Sequence, residues 1–302
     1  MNNRQFYHPK FLPTWLLISL MKFGAKLPFK VQVTLGKIMG MALYPLLGRF
    51  RKIAFINISR CFPNKRKSEV EALVRQNFEA LGVSIFETAN AYFATNDKVS
   101  SMLSVHNEHH LTTAINNQQS VILLAAHFMP LMLGSRALLL KYHIANIYRP
   151  QNNALFDETM RKGFVDNGAT MIKTKDTKSM LKAIKNKLPI WYAPDQDLGL
   201  DKCIFAPFFG IQTATVSATA RLAKGENTVV IPYFFIRTDS GYSMSFEAPI
   251  ENYPNTDAAI SATITNQILE AQILKFPEQY LWIHKRFKTR PEIGRASCRE
   301  RV

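Results

Sequence analysis

Apolar residues recur along this chain in two rhythms. In the first, a short unbroken apolar run is closed by a polar or proline-containing turn. Val121–Ala126 is the clearest case, preceded by the polar Asn116-Asn-Gln-Gln119 and followed by His127. Such a run predicts a strand buried on both faces of a parallel sheet. Asn146–Pro150, Ala169–Lys173, Ile190–Pro194, Val229–Arg237 and Tyr242–Glu247 read as further strands. In the second rhythm the apolar positions fall three and four apart. Val70, Leu73, Val74, Phe78, Leu81, Ile85 and Phe86 mark one face of a helix over residues 68–93, and Ser68 with Glu71 has the spacing of a capping box. Helices are also predicted after Pro130, over Gln151–Phe164, over Thr177–Asn186 and over Ala258–Lys275. Thr213–Leu222 holds many small residues, as expected of a helix start packed closely on a sheet.

Strands alternating with helices predict an α/β fold: an αβα sandwich with a mostly parallel central sheet. No internal repeat or low-complexity linker interrupts residues 68–291, which read as one domain.

The first 67 residues differ. Trp15–Met21 is apolar and runs into Lys22, Lys26 and Lys30, while Val31–Leu47 carries only Lys37. The uncharged run from Phe11 to Met21 falls short of the roughly 20 residues a span needs. The second segment is nearer that length. The pair reads as an arm of helices lying in or dipping into a bilayer, with a single span or packing on the core as the other readings.

Charge sharpens this picture. Of the net charge of +16, +13 lies in the first 67 residues, because no acidic residue precedes Glu69. Such asymmetry points to a polyanionic partner, nucleic acid or anionic lipid. Nucleic acid is disfavoured, because the basic residues are interleaved with long aliphatic stretches rather than clustered with stacking aromatics.

Cys61, Cys203 and Cys298 show no metal spacing and no obvious pairing, which suits a reducing compartment or a cytoplasm-facing surface. No P-loop or dinucleotide fingerprint is present either, so neither a metal nor a nucleotide cofactor is expected. Residues 292–302 look like a translated sequencing adapter and are set aside.

The candidate chemistry gathers at the predicted strand ends, where open α/β sheets bind ligands. His127 follows one strand, Arg149 a second, and Asp195-Gln-Asp197 a third. His127 is either a general base or a satisfied histidine capping its strand.

The stretch around His127, Tyr148-Arg149-Pro150, Trp191-Tyr-Ala-Pro-Asp-Gln-Asp197, Phe205–Phe209 and Pro277–Pro291 together resemble the late acyltransferases of lipid A biosynthesis, within the lysophospholipid acyltransferase superfamily. The resemblance runs from about His8 to Pro291. It implies an enzyme on the cytoplasmic side of the inner membrane of a Gram-negative bacterium. Such an enzyme moves an acyl chain from acyl carrier protein to a hydroxyl of a Kdo2-lipid IVA type precursor. The basic surface suits an acidic carrier protein and anionic membrane lipid.

The family signature is a histidine followed after four residues by Glu or Asp; here Met132 stands in the acid's place. The resemblance makes His127 the base, and methionine can neither orient its imidazole nor support the imidazolium. Asp195 or Asp197 could substitute, or that pair could simply cap a loop. The alternative is an impaired member that binds lipid A precursor without efficient acylation. Arg149 matches a family arginine beside the active site, where its fork suits an acceptor phosphate or carboxylate, or a developing oxyanion; a salt bridge with Asp157 or Glu158 is the other reading. The basic run His284–Arg290 suits phosphates or anionic lipid, or a solvated face.

Overall fold

A computed structural model describes residues 6–291. The adapter-like tail lies outside the described residues. Three helices open the fold: α1 (Leu12–Lys26), α2 (Phe29–Leu46) and α3 (Gly48–Cys61). The long α4 (Lys67–Phe93) and the short α5 (Asn96–Ser101) follow. Then come β1 (Leu103–His106), α6 (His109–Asn116), β2 (Ser120–Leu124), α7 (Leu131–Leu138), β3 (Ala145–Tyr148) and α8 (Ala154–Val165). After these run β4 (Thr170–Lys173), α9 (Thr177–Lys185), β5 (Ile190–Tyr192), β6 (Cys203–Phe208), β7 (Ile211–Val216) and α10 (Ala218–Leu222). The chain closes with β8 (Thr228–Arg237), β9 (Tyr242–Phe246) and α11 (Ala258–Lys275).

Seven strands form the central sheet in the order β1-β9-β8-β2-β5-β3-β4, and only the β8–β9 pair is antiparallel. The fold is therefore mixed α/β with a mostly parallel sheet. β2 lies in the middle, and all five of its residues are buried. Its side chains alternate between two cores. Ile122 and Leu124 face a cluster with α3, α4, α9 and α11, while Val121 and Leu123 face one with α1, α6, α7 and α8. Period-two alternation thus divides one apolar run between two covering layers.

The first helices pack on the domain by one face. Gly36 and Gly40 of α2 meet Gly82 of α4 backbone to backbone, where an added Cβ would collide with the facing chain. The outer face stays open: Leu16, Leu20, Phe23 and Ile38 are exposed beside exposed Lys22, Lys26, Lys30 and Lys37. Among the described residues no helix is long and apolar enough to cross a membrane, so the single-span reading does not hold.

Two local expectations are corrected. The capping box uses Glu69 rather than Glu71: the helix starts before Ser68, and the Arg66 N–H donates to Glu69 Oε2 at 2.7 Å. Thr213–Leu222 is not one helix. Its first part is β7, paired with β6 through a two-residue turn in which Phe209 and Gly210 both have positive φ. The small residues that suggested a helix against a sheet are themselves a strand, and Ala218–Leu222 alone is helical.

Candidate active site

Register builds the site. Leu124 pairs with Tyr192 across β2 and β5. Each strand then continues three residues, which brings His127 opposite Asp195. The Asp195 carboxylate meets His127 Nδ1 at 2.6 Å through Oδ1 and accepts the His127 backbone N–H at 2.9 Å through Oδ2. Tyr280 donates its hydroxyl to the same Oδ2 at 2.9 Å. Burial opposes the charge on Asp195. The adjacent His127, its two hydrogen bonds and the Tyr280 hydroxyl outweigh burial and hold the carboxyl down at about 2. With Nδ1 turned to a carboxylate, Nε2 is left to exchange a proton at the cleft, and the imidazole is partly exposed there.

Residues 277–289 form a strap across this edge. The Leu281 N–H donates to His127 O at 2.9 Å, and the Met129 N–H donates to Gln279 O at 2.7 Å. Two buried asparagines pin the strap. Asn77 Nδ2 donates to the carbonyls of Glu278 and Tyr280, and Asn57 Nδ2 to those of Trp282 and His284. Gln279 brackets Arg237 by accepting from its N–H and donating to its carbonyl. The Arg237 guanidinium is paired in turn with buried Glu87 at 2.6 Å.

Asp197 sits close by with other hydrogen-bond partners. Its carboxylate accepts from Gly199 N–H, Thr289 N–H and the Thr289 hydroxyl at 2.9–3.0 Å, and no hydrogen bond joins it to His127 among the described residues. Its own N–H donates to His284 Nε2 at 3.2 Å. Burial first, and His127 second, bring His284 down to about 4, so this ring is neutral at ordinary pH.

Arg149 follows β3, on the same carboxyl edge, with β5 between β3 and β2. It is exposed. Neither salt bridge of the alternative reading forms: Glu158 pairs with Arg161 at 2.8 Å, and Asp157 accepts from the Gln151 N–H. Met132 lies half-buried on α7 among apolar side chains. One turn on, Arg136 is buried, with Asn96 as its partner and with Nε and Nη1 unpartnered.

His127 and Asp195 thus come together as predicted strand-end residues, and Arg149 shares their edge. Tyr280, His284 and Arg286 line or support the cleft, although sequence reasoning gave them no separate roles. Their signal lay in the Pro277–Pro291 motif. Asn57 and Asn77 carried no signal at all.

Comparisons with known proteins give the family of the chain. The family model for bacterial lipid A biosynthesis acyltransferases matches residues 2–289. A lipid A biosynthesis palmitoleoyltransferase of Escherichia coli K12 is 34% identical over 298 residues, 98% of this chain and 97% of its own. A lipid A biosynthesis lauroyltransferase of the same organism is 33% identical, covering 94% of each chain. A lipid A biosynthesis acyltransferase of Haemophilus influenzae is 32% identical, covering 95% of this chain and 94% of its own. With the family model spanning nearly the whole chain, this protein belongs to the bacterial lipid A biosynthesis acyltransferases.

Proposed function

We propose that this enzyme transfers a fatty acyl chain from the thioester of acyl carrier protein to a hydroxyl of a Kdo2-lipid IVA type precursor. His127 acts as general base and Asp195 as its orienting carboxylate. The observation that carries this reading is the short His127 Nδ1–Asp195 contact at the carboxyl edge of the sheet. A sugar-linked hydroxyl needs its proton removed as it attacks a thioester, and an imidazole held by a carboxylate meets that need. The same contact favours an active enzyme over an impaired member that only binds precursor. On this reading Asp195, three residues beyond β5, is the partner that Met132 cannot supply. Asp197 secures Thr289 and the strap rather than the base.

Exposed Arg149 binds an anionic group of the acceptor outside the cleft, its fork matching phosphate or carboxylate. The exposed apolar and lysine-rich face of α1 and α2 rests on anionic lipid at the cytoplasmic side of the inner membrane.

The test is transfer by the purified protein from acyl-loaded carrier protein to the tetra-acylated precursor, read by mass spectrometry of the lipid. A product heavier by one acyl chain is expected from wild type and not from His127→Ala. Equal product from both proteins would remove His127 as base.

A further inference from the structure

In sequence the run His284–Arg290 suits a solvated basic face. In the fold, two of its basic side chains turn inward. His284 and Arg286 line the same cleft as His127 and Asp195. Arg286 is 2% exposed. Its Nη1 donates to Ala214 O at 2.6 Å, its Nη2 to Thr215 Oγ1 at 3.3 Å, and its guanidinium lies over the Phe208 ring. Its Nε–H has no partner, and no carboxylate forms an ion pair with it among the described residues. A buried guanidinium with an unmet donor is costly unless something arrives to use it.

The neighbouring ring is locked in one tautomer. His284 Nε2 faces the Asp197 N–H at 3.2 Å. A backbone N–H can only donate, so Nε2 is the bare nitrogen and the proton sits on Nδ1. His284 therefore offers the cleft a donor, not a second base.

We propose that His284 Nδ1–H and Arg286 Nε–H form the anion-receiving wall of the cleft, holding the negative charge that develops on the acyl carbonyl oxygen. This rests on the acyl-transfer reading above. The acceptor hydroxyl oxygen bonds to the thioester carbon while its proton passes to His127 Nε2. The carbonyl electron pair moves onto oxygen, and the oxyanion meets the two donors. The pair then returns, the carbon–sulfur bond breaks, and the departing thiolate takes the proton from His127. Fixed donors aimed at the oxyanion in a poorly solvated site lower the barrier to the addition step. Arg149 suits this task less well, because its exposed charge is screened by water and salt.

Steady-state kinetics of the full-length protein, with acyl-loaded carrier protein and precursor, tests the wall. His284→Leu removes the donor and should lower kcat by about 10²- to 10³-fold with little change in KM. His284→Asn keeps an N–H near the Nδ1 position and should recover about tenfold of that loss. Adding His127→Ala to either variant should abolish the remaining transfer. Arg286→Lys should also lower kcat. Since Arg286 ties down β7, its melting temperature is read alongside, and if that variant fails to fold the His284 pair decides. Wild-type kcat in His284→Leu, or no recovery of rate in a folded His284→Asn, overturns the proposal. If wild type transfers no acyl group from the thioester, the acyl-transfer reading falls and this one with it. If wild type is active, His127→Ala is dead and His284→Leu matches wild type, only the oxyanion wall falls.

Discussion

The Asp195 carboxylate holds His127 at two points, the ring Nδ1 at 2.6 Å and the backbone N–H at 2.9 Å. One bond sets the tautomer and the other sets where the strand end places the ring. The Tyr280 hydroxyl completes the shell from the strap.

Asp195→Asn keeps the size of this group and removes its charge. By the scale of an orienting carboxylate in a serine-protease triad, kcat should fall by about 10³- to 10⁴-fold. Tyr280→Phe removes one hydrogen bond to a charged acceptor, worth about 1.5–3 kcal/mol when intact. It should lower kcat by about tenfold and leave the fold intact. Transfer assays on both variants, each checked by thermal melt, decide the point. Wild-type turnover in Asp195→Asn would remove it from the mechanism.

Much of this arrangement was legible in the chain, and the illegible part has physical reasons. The runs that became β2, β5 and β8 are apolar and continuous because those strands are buried on two faces, whereas β9 alternates buried Tyr242, Met244 and Phe246 with two half-buried serines. β1 is a four-residue edge strand with only alternate residues half-buried, so it left almost no signature. The part of β7 from Thr213 onward read as the start of a helix because its small residues suit either structure. His127 and Asp195 stood out as polar residues ending apolar runs. Their contact did not, since it follows from the register between β2 and β5, which no spacing along the chain encodes. Asn57 and Asn77 are ordinary helix residues by pattern, and they gain meaning only when the strap crosses them.

Glu87 and Arg237 form a buried ion pair whose arginine backbone also binds Gln279 of the strap. Glu87→Gln leaves the guanidinium buried and uncompensated, which costs about 3–5 kcal/mol in comparable pairs. The melting temperature should drop by about 6 °C or more at this chain length. Wild-type stability in this variant would show that the pair is readily replaced.

Acid should weaken the fold in two stages. His284 is held at about 4 against an ordinary 6.5. As pH falls below 6.5 the unfolded chain takes this proton and the native one does not, so stability is full above 6.5 and declines toward pH 4. Asp195 is depressed instead, so its contribution is intact above the ordinary carboxylate value of 3.8 and is lost as pH falls toward about 2. Melting temperature against pH should show the first decline in wild type and a shallower one in His284→Leu. Parallel curves would mean that another group titrates there.

Leu16, Leu20 and Phe23 are about 60% exposed on α1, beside four lysines. Large apolar side chains open to solvent next to positive charge fit an anionic bilayer surface. The intact protein should float with vesicles containing phosphatidylglycerol, less so at high salt. A Leu16→Glu, Leu20→Glu, Phe23→Glu triple variant should stay in the soluble fraction while melting like wild type. Flotation of the triple variant equal to wild type would place lipid contact elsewhere.

Met132 stands where the family signature has an acid, yet the ring nitrogen that such an acid would orient is already held by Asp195. What is only partly satisfied is Arg136, one helical turn on: Asn96 takes its Nη2, while Nε and Nη1 are buried and unpaired. Met132→Glu places a carboxylate four residues before that guanidinium, the favourable order for a helix pair. The expected gain is therefore in stability. The melting temperature should rise by about 2 °C or more, and turnover should change by less than about tenfold, far below the scale of restoring a lost orienting group. The double variant Met132→Glu, Arg136→Met should lose the thermal gain, since the new carboxylate then has no cation beside it. If Met132→Glu instead raises kcat by about 10²-fold or more and the rise vanishes with His127→Ala, then Asp195 alone does not suffice to orient the base, and position 132 matters to the chemistry directly.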